Sequence, residues 1–458
     1  MKWRPVDPIY HADGVPMPAR LWAILSIMLG MTMAVMDSSI ANIALPTIAR
    51  DLQTSPAASI WVVNAYQLAV TVSLLPLASL GDIFGYRRVY LTGFAVFTLA
   101  SLACALSDSL VSLTAARIVQ GFGGAGIMSV NTALIRHIYP RHLMGRGFAI
   151  NATVASVSSA VGPTVASAIL SVAAWPYLFA VNVPIGAIAL LVGLRALPFT
   201  RGSNNRFDGV SAALSAATFG LLITGLDGLA HGQAVVVVVF ELVMTVAAGY
   251  LLVRRQLSRP APLLPVDLLR IPLFALSVVT GVSAFIAQSL AFVSLPFYFE
   301  NTLQLSQVTT GMLMTPWPLT MAVVAQLSGR LADRYSAGLL GGIGLAVLAC
   351  GLFLLVALPA HPSIANIVWR TSLCGMGFGF FNTPNNRAMQ LAAPRSRAGG
   401  ASGVAATARL LGQTIGAALV ALIFTMLGMH GTVGTLVAAG CFACGATLIS
   451  LTRLGENV

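Results

Sequence analysis

Charge is what this sequence has least of. Only 8% of its 458 residues are Asp, Glu, Lys or Arg, and the acids number 13 in all. A soluble chain runs near one quarter charged. So few charges could not solvate the surface of a soluble enzyme of this length, and the same composition excludes a disordered chain. The five cysteines (Cys104, Cys350, Cys374, Cys441 and Cys444) are odd in number and lie inside apolar runs, which excludes a disulfide framework. Cys441 and Cys444 form a CxxC without a second pair, so no metal site is expected and both read as small helix-packing residues. No nucleotide-binding motif is present, and no loop is long enough to hold a nucleotide domain. The first twenty residues hold Lys2, Arg4, Asp7, Asp13, Arg20 and four prolines but no apolar core, which is not the pattern of a cleavable signal peptide.

What is present is hydrophobic length. Hydrophobic residues make up 57% of the chain and its mean hydropathy is +0.87. A helix needs about 20 apolar residues to cross a bilayer. Fourteen such runs follow one another: 21–46, 57–80, 89–107, 109–135, 147–172, 177–197, 208–229, 234–253, 272–299, 308–330, 338–358, 364–386, 399–428 and 432–452. Barrel strands would be short and alternating. These runs are long and continuous, so they are read as helices, the form that satisfies its own backbone in lipid.

An even number of spans puts both termini on one side. With the N-terminus in the cytoplasm, 21 of the 25 basic residues fall in inner loops and ends and Arg50 alone falls outside. Arg117, Arg370 and Arg409 fall within spans. Basic residues gather on the cytoplasmic side, so the tally fixes the orientation. It also removes nucleic acid as a partner, because the net charge of +12 follows topology and forms no single patch.

The chain repeats itself. LGDIFGYRR (80–88) follows the second span and LADRYSAG (331–338) the tenth, with Asp82 and Asp333 251 positions apart. A similar shift carries Arg117 near Arg370, each followed by a glycine-rich run, and Gly162–Pro163 near Gly412 and Gly416. The expected organisation is a cytoplasmic segment 1–20, a six-helix half 21–200, a linker 201–260 with two additional spans, and a second six-helix half 261–458. Parallel repeats about an axis normal to the membrane mark a large class of transporter folds.

Five segments then resemble the major facilitator superfamily, and within it the fourteen-helix drug:proton antiporter branch. MDSSIANIALP (36–46) resembles that branch's helix-1 signature, and LGDIFGYRR the superfamily's loop between helices 2 and 3, with Ala78 and Ile83 departing from it. LTAARIVQGFGGA (113–125) matches the helix-4 pattern R-x-x-Q-G-x-G. SSAVGPTVAS (158–167) is a partial match to the helix-5 antiporter motif, with Ser158 and Ala166–Ser167 in place of glycines. AAWPYLFAVNVPIG (173–186) is similar to the branch's W-R-W-x-F-x-I-N-x-P-I-G, with Pro176 in place of the Arg. The resemblance implies an all-α polytopic membrane protein with the major facilitator fold: two six-helix bundles plus two inserted central helices, and both termini cytoplasmic.

Candidate sites follow from physics and resemblance together. A carboxylate near the bilayer centre costs roughly 3 kcal/mol or more, so Asp37 is a candidate to hold a proton in one state and release it in another; the alternative is a paired structural Asp. Arg117 cannot readily deprotonate, and Asp37 is its natural partner if the first and fourth helices pack; otherwise it snorkels to the inner surface. Asp82, Gly85, Arg87 and Arg88, with Asp333 and Arg334 as a weaker second copy, would form gating loops, the role the resemblance implies. Gly162 and Pro163 would bend the fifth helix and let a neighbour approach. A cavity between the halves would be lined by Trp61, Asn64, Tyr66, Gln67, Phe285, Gln288, Phe292, Trp317, Phe378, Phe381 and Asn382, whose rings can attract organic cations. Gln288 stands 251 positions beyond Asp37, an amide where the first half has an acid. Asp227, Glu241 and Glu300 are the remaining acids in or near the membrane.

The expectation is a proton-driven exporter of lipophilic, often cationic compounds in the bacterial inner membrane, with no ATP and no cofactor beyond the proton gradient. Three alternatives stay open. The same fold serves importers and carriers of one metabolite, the same carboxylate would serve sodium, and a membrane sensor or scaffold would leave Asp37 dispensable.

Overall fold

The computed structural model describes residues 14–140, 143–200, 207–230, 233–257, 266–332, 334–359, 361–393, 398–428 and 431–453. Within them run fourteen helices of membrane-spanning length: α1 (Ala19–Asp51), α2 (Pro56–Phe84), α3 (Tyr86–Ala105), α4 (Leu110–Ile138), α5 (Met144–Val172), α6 (Pro176–Ala196), α7 (Gly209–Ala230), α8 (Val235–Leu257), α9 (Pro272–Thr302), α10 (Gln307–Leu331), α11 (Ala337–Val356), α12 (Ile364–Ala392), α13 (Ala398–Leu427) and α14 (Gly431–Thr452). Every boundary falls within six residues of its sequence expectation. Among the described residues there is no strand.

Local chemistry sets where the helices begin. Ser55, Ser306, Ser336 and Ser363 each accept a hydrogen bond from a backbone N–H three residues on, at 3.1 to 3.3 Å, and so cap α2, α10, α11 and α12. Ser109 and Ser112 form a reciprocal capping box on α4. α6 opens with Pro176 in its first turn, where a missing N–H costs nothing. Asp208 caps α7 by accepting from the Ser211 N–H at 3.2 Å, and it is paired with Arg255 near the end of α8 at 2.9 Å. Partial burial pushes the Asp208 carboxyl up, but the bonds from Arg255 and Ser211 outweigh it and bring it down to about 2. Stability held by a depressed carboxyl is lost only as pH falls through that value, so this clip between α7 and α8 persists through the physiological range.

Thirteen of the helices are apolar enough to span a membrane on composition alone. The other is α12, which carries Arg370, Arg387 and four asparagines. It packs between α10 and α11 and also touches α9, so neighbouring helices rather than lipid meet much of its surface.

The helix pairings repeat. α1 packs on α5 and α6, α2 and α3 on α4, and α3 on α6; in the same way α9 packs on α13 and α14, α10 and α11 on α12, and α11 on α14. Lipid offers no hydrophobic drive for helix association, so close approach at small residues does the work. A Cβ on Gly93 would lie 2.8 Å from Cα of Gly126, and one on Gly344 would lie 2.7 Å from the Gly377 carbonyl oxygen. A Cβ on Gly124 would come 2.6 Å from the Tyr66 hydroxyl, and one on Gly375 would clash with the Trp317 carbonyl. Each of these pairs recurs after the same 251 positions: 93 and 344, 126 and 377, 124 and 375, 66 and 317. In that register the counterpart of Arg117 is Val368, and Arg370 lies two positions away.

α7 lies against α2 of the first half and α13 of the second, and α8 packs on α7. α8 exposes Val235, Val236, Val239, Phe240, Val243 and Val246, a face suited to lipid. The larger buried apolar cluster runs across both halves, through Ile48 and Ile60 to Leu290, Phe297 and Phe424. Polar contacts also cross between the halves: Thr164 to Thr315 at 2.7 Å, Ser167 Oγ to the Gln307 carbonyl at 3.3 Å, and Gln307 Nε2 to Thr47 Oγ1 at 2.7 Å.

The glycine crossings make a direct test. A Cβ at Gly123 or Gly377 would come 2.4 Å from a backbone nitrogen of the facing helix, whereas one at Gly445 meets nothing within 4 Å. Overpacking of this kind costs about 1–3 kcal/mol. Gly123→Ala and Gly377→Ala should each lower the melting temperature of the purified protein in detergent. Gly445→Ala should leave it unchanged or raise it.

Candidate functional site

Asp37 lies midway along α1 with 2% of its surface exposed. Its carboxylate accepts from three side chains: Arg117 Nη1 on α4 in a short ion pair, Gln120 Nε2 on α4 at 2.8 Å, and Asn182 Nδ2 on α6 at 3.1 Å. All three partners donate, which is the pattern of a carboxylate rather than a carboxylic acid. Arg117 and Gln120 are fully buried as well.

A second ring of contacts holds these groups. Arg117 donates from Nε to the Val62 carbonyl of α2 at 2.9 Å and from Nη1 to Gln120 Oε1 at 2.6 Å. Its guanidinium lies over the Tyr66 ring at 4.3 Å and near the Phe179 ring at 5.5 Å, contacts that favour a desolvated cation. Gln120 Nε2 also donates to Ser101 Oγ at 2.9 Å, and the Cys104 thiol donates to Gln120 Oε1 at 3.5 Å. Helices α1, α2, α3, α4 and α6 therefore meet at one polar cluster inside the first half. Position 120 is one turn from 117, so a single face of α4 presents both groups.

The second half holds no copy. In the 251 register the positions of Asp37, Tyr66, Ser101, Arg117, Gln120 and Asn182 are occupied by Gln288, Trp317, Leu352, Val368, Thr371 and Val433. Arg370 instead donates from Nη1 to the Leu354 carbonyl at 2.8 Å and lies beside the Trp369 ring at 5.2 Å. Gln120 and Asn182 were not singled out from sequence as partners of Asp37. They stand in the segments R-x-x-Q-G and N-x-P-I-G, whose polar members inside an apolar run are the signal that could have found them.

Gly162 and Pro163 stand between α1 and α10. A Cβ on Gly162 would lie 2.8 Å from Ser39 Cβ, two positions beyond Asp37, and one on Gly311 would lie 2.6 Å from the Pro163 carbonyl. The loop between α2 and α3 is held to its own half. Gly85 has φ +94°, and a Cβ there would sit 2.4 Å from the Thr200 carbonyl, so only glycine fits. The Arg87 N–H donates to Thr200 Oγ1 at 3.1 Å, Arg87 Nη2 donates to the Leu194 carbonyl at 2.5 Å, and Arg88 lies 5.8 Å from the Phe199 ring. Asp82 is exposed and accepts from the Tyr86 hydroxyl at 2.6 Å, not from an arginine. Arg334 is exposed; Asp333 and the side chain of Asp227 lie outside the described residues.

The expected cavity residues fall into separate groups. Phe285, Phe378 and Phe381 form edge-on ring contacts at 5.3 and 5.9 Å, and Phe292 meets Trp317 at 5.0 Å. Phe381 is fully buried beside Gly341 and Gly344 of α11, which makes it a packing residue within the second half. Tyr66 belongs to the Asp37 cluster. Asn64 and Gln67 are buried on α2, and among the described residues neither polar atom of Asn64 nor Oε1 of Gln67 has a partner. Trp61, Gln288 and Asn382 are partly buried, and Asn382 accepts from Asn386 at 3.2 Å.

The other acids are occupied or remote. Glu300, on the π-helical last turn of α9, pairs with Arg50 of α1 at 3.5 Å across the two halves and lines a cleft of about 560 Å3 with Asn301, Gln304 and Gln307. Glu241 is partly buried on α8, with its Cβ 3.5 Å from where a Cβ on Gly225 of α7 would stand. Among the described residues no cluster of His, Cys, Asp and Glu could hold a metal ion.

Comparison with known proteins agrees with this architecture. The Major Facilitator Superfamily profile matches residues 27–417. The chain is 57% identical over 451 residues to "Uncharacterized transporter YebQ" of Escherichia coli (strain K12), covering 98% of this chain and 99% of that one. It is 30% identical over 406 residues to "Multidrug resistance protein Stp" of Mycobacterium tuberculosis (strain ATCC 25618 / H37Rv), covering 87% and 75%. It is 29% identical over 406 residues to "Riboflavin transporter RibZ" of Clostridioides difficile (strain 630), covering 88% of each. A crystal structure of a POT family transporter in complex with a thioalcohol conjugated peptide superposes with a TM-score of 0.74 at 14% identity over 96% of both chains, a likeness of fold alone.

Leaving one member of a buried ion pair unpaired costs about 3–5 kcal/mol. Asp37→Asn and Arg117→Met should therefore each lower the melting temperature. The double variant should be less destabilised than the sum of the two, with a coupling of at least about 1 kcal/mol. Additive losses in that thermal-stability cycle would contradict the pairing.

Proposed function

We propose that this chain, which belongs to the Major Facilitator Superfamily, exports small lipophilic compounds from a bacterial cell in exchange for protons entering across the cytoplasmic membrane. One observation carries the reading: a carboxylate held by three donors inside a membrane-embedded helix cluster, with a permanent cation as its partner. A proton on Asp37 removes the negative charge that compensates Arg117, and the attraction holding α1 to α4 at that point falls away. The residual cost of an uncompensated Arg117 then favours an arrangement in which that cation finds other partners. Binding that differs between two states is what shifts their populations, and here the proton is the ligand with differential affinity. α5 lies between α1 and α10 of the opposite half, so a change at Asp37 has a packed route to the face where the halves meet.

Relatives named for multidrug resistance support a lipophilic cargo. The relative named as a riboflavin transporter favours a second reading, a carrier for one planar aromatic compound. The two readings differ in breadth and share the proton site.

Inverted membrane vesicles given an imposed pH gradient provide the test. Lipophilic dyes should accumulate in vesicles bearing the protein, and collapse of the gradient should abolish the accumulation. Asp37→Asn at equal abundance should lower it at least tenfold. Full transport by that variant would remove Asp37 from the mechanism. Uptake of riboflavin alone would select the single-substrate carrier.

A further inference from the structure

Arg409 stands within α13, well inside the membrane-embedded part of the chain, and it is partly buried. α13 packs on α2 of the opposite half, the helix that carries Tyr66. Among the described residues Arg409 makes no ion pair and no hydrogen bond. Among the acids whose side chains are described, Asp37 pairs with Arg117 and Glu300 with Arg50, and Glu241 stands apart on α8 against α7. An arginine keeps its charge even when desolvated, and an ionisable side chain at such depth marks a ligand pathway more often than packing.

Its surroundings have the character of a binding site. Arg409 lies one turn from Gly412 on the same face of α13, and a Cβ on Gly412 would meet Phe285 of α9 at 2.7 Å. The Phe285 ring in turn meets Phe378 edge-on at 5.3 Å. On the opposing helix, the stretch around Tyr66 carries the orphaned polar atoms of Asn64 and Gln67. Buried polar atoms without partners are rare and call for an explanation. A fixed cation, aromatic rings and unused amide groups thus lie on the helices that bridge the halves.

We propose that Arg409 binds a negatively charged group on the transported compound, so that the cargo class is an aromatic acid: a planar ring system bearing a carboxylate, sulfonate or phosphate. The guanidinium fork matches such groups with two parallel hydrogen bonds. The charge balance between the halves points the same way. The Asp37–Arg117 pair is neutral and Arg409 adds one positive charge, so a cationic cargo would meet net repulsion at this level. This inference rests on the export reading for the word cargo; the binding site itself does not depend on it.

Two probes with one ring separate the outcomes: pyrene-1-sulfonate and 1-pyrenemethylammonium, titrated by fluorescence into the purified full-length protein in detergent. The wild type should bind the sulfonate at least about tenfold more tightly than the ammonium, the size of one charge-assisted hydrogen bond. Arg409→Gln should lose that preference while remaining monodisperse, and Arg409→Lys should keep part of it. Preference of the wild type for the ammonium, no binding of either probe, or unchanged sulfonate binding by Arg409→Gln would overturn the assignment. Displacement of the sulfonate by phosphatidylglycerol micelles would reassign the site to a lipid headgroup and overturn its role with cargo. Proton-driven movement of the probes in vesicles is scored separately. Its absence alongside an intact, Arg409-dependent preference would remove the export reading and keep the anion site.

Discussion

One buried pair of opposite charges, Asp37 and Arg117, sets the terms for the first half of this protein. Two ions removed from water are stable only when mutual attraction and further hydrogen bonds replace the lost solvent. Gln120, Asn182, Ser101 and the Val62 carbonyl supply those bonds from four helices, and the Tyr66 and Phe179 rings cover the cation. The packing of α1, α2, α3, α4 and α6 is thereby tied to the charge state of a single oxygen pair. A proton is the smallest ligand that can alter that state, and in a low-dielectric interior its effect is large.

The internal repeat makes the asymmetry informative. Glycine-mediated crossings recur after 251 positions with the same partners, so the two halves share a scaffold down to individual close contacts. Against that constancy, every member of the Asp37 cluster has been replaced in the second half. Trp317 stands for Tyr66, and its ring packs on Phe292 instead of covering a cation. One half carries a buried ion pair, while the other offers apolar and aromatic surface. On the proposed reading, a common fold is divided between a proton site and a binding surface.

The sequence disclosed most of this because lipid is an unforgiving solvent. Fourteen spans could be read from the scarcity of charge and the length of the apolar runs, and α12 was included although its composition is the least apolar. Asp37 and Arg117 were legible because an ion inside an apolar run has to be explained. Gln120 and Asn182 were not, since a neutral amide costs little enough to pass as packing. The proposed match of Arg117 with Arg370 slipped by two positions, because arginine identity was used as the marker and the glycine contacts that fix the register appear only in three dimensions. The Asp208–Arg255 clip was also invisible, since it joins residues 47 positions apart at the membrane surface, where charge is ordinary.

Two intramembrane arginines, Arg117 and Arg409, constrain how exchange could operate. In any single conformation, a proton on Asp37 unmasks the charge of Arg117 and raises the positive potential around Tyr66 and Arg409. An anion at Arg409 would then bind more tightly, so proton and cargo cannot exclude one another through local charge. Exchange must come from the conformational step: the protonated and the cargo-bound proteins have to favour openings toward opposite sides of the membrane. The membrane potential supplies a reason for such a design. Export of a monoanion against one entering proton moves two positive charges toward a negative interior, and each is worth about 2.3 kcal/mol per 100 mV. A cationic cargo exchanged for one proton would move no net charge and draw on the pH gradient alone. An arginine that held the cargo and an aspartate that took the proton would therefore form the pairing that draws on both components of the gradient.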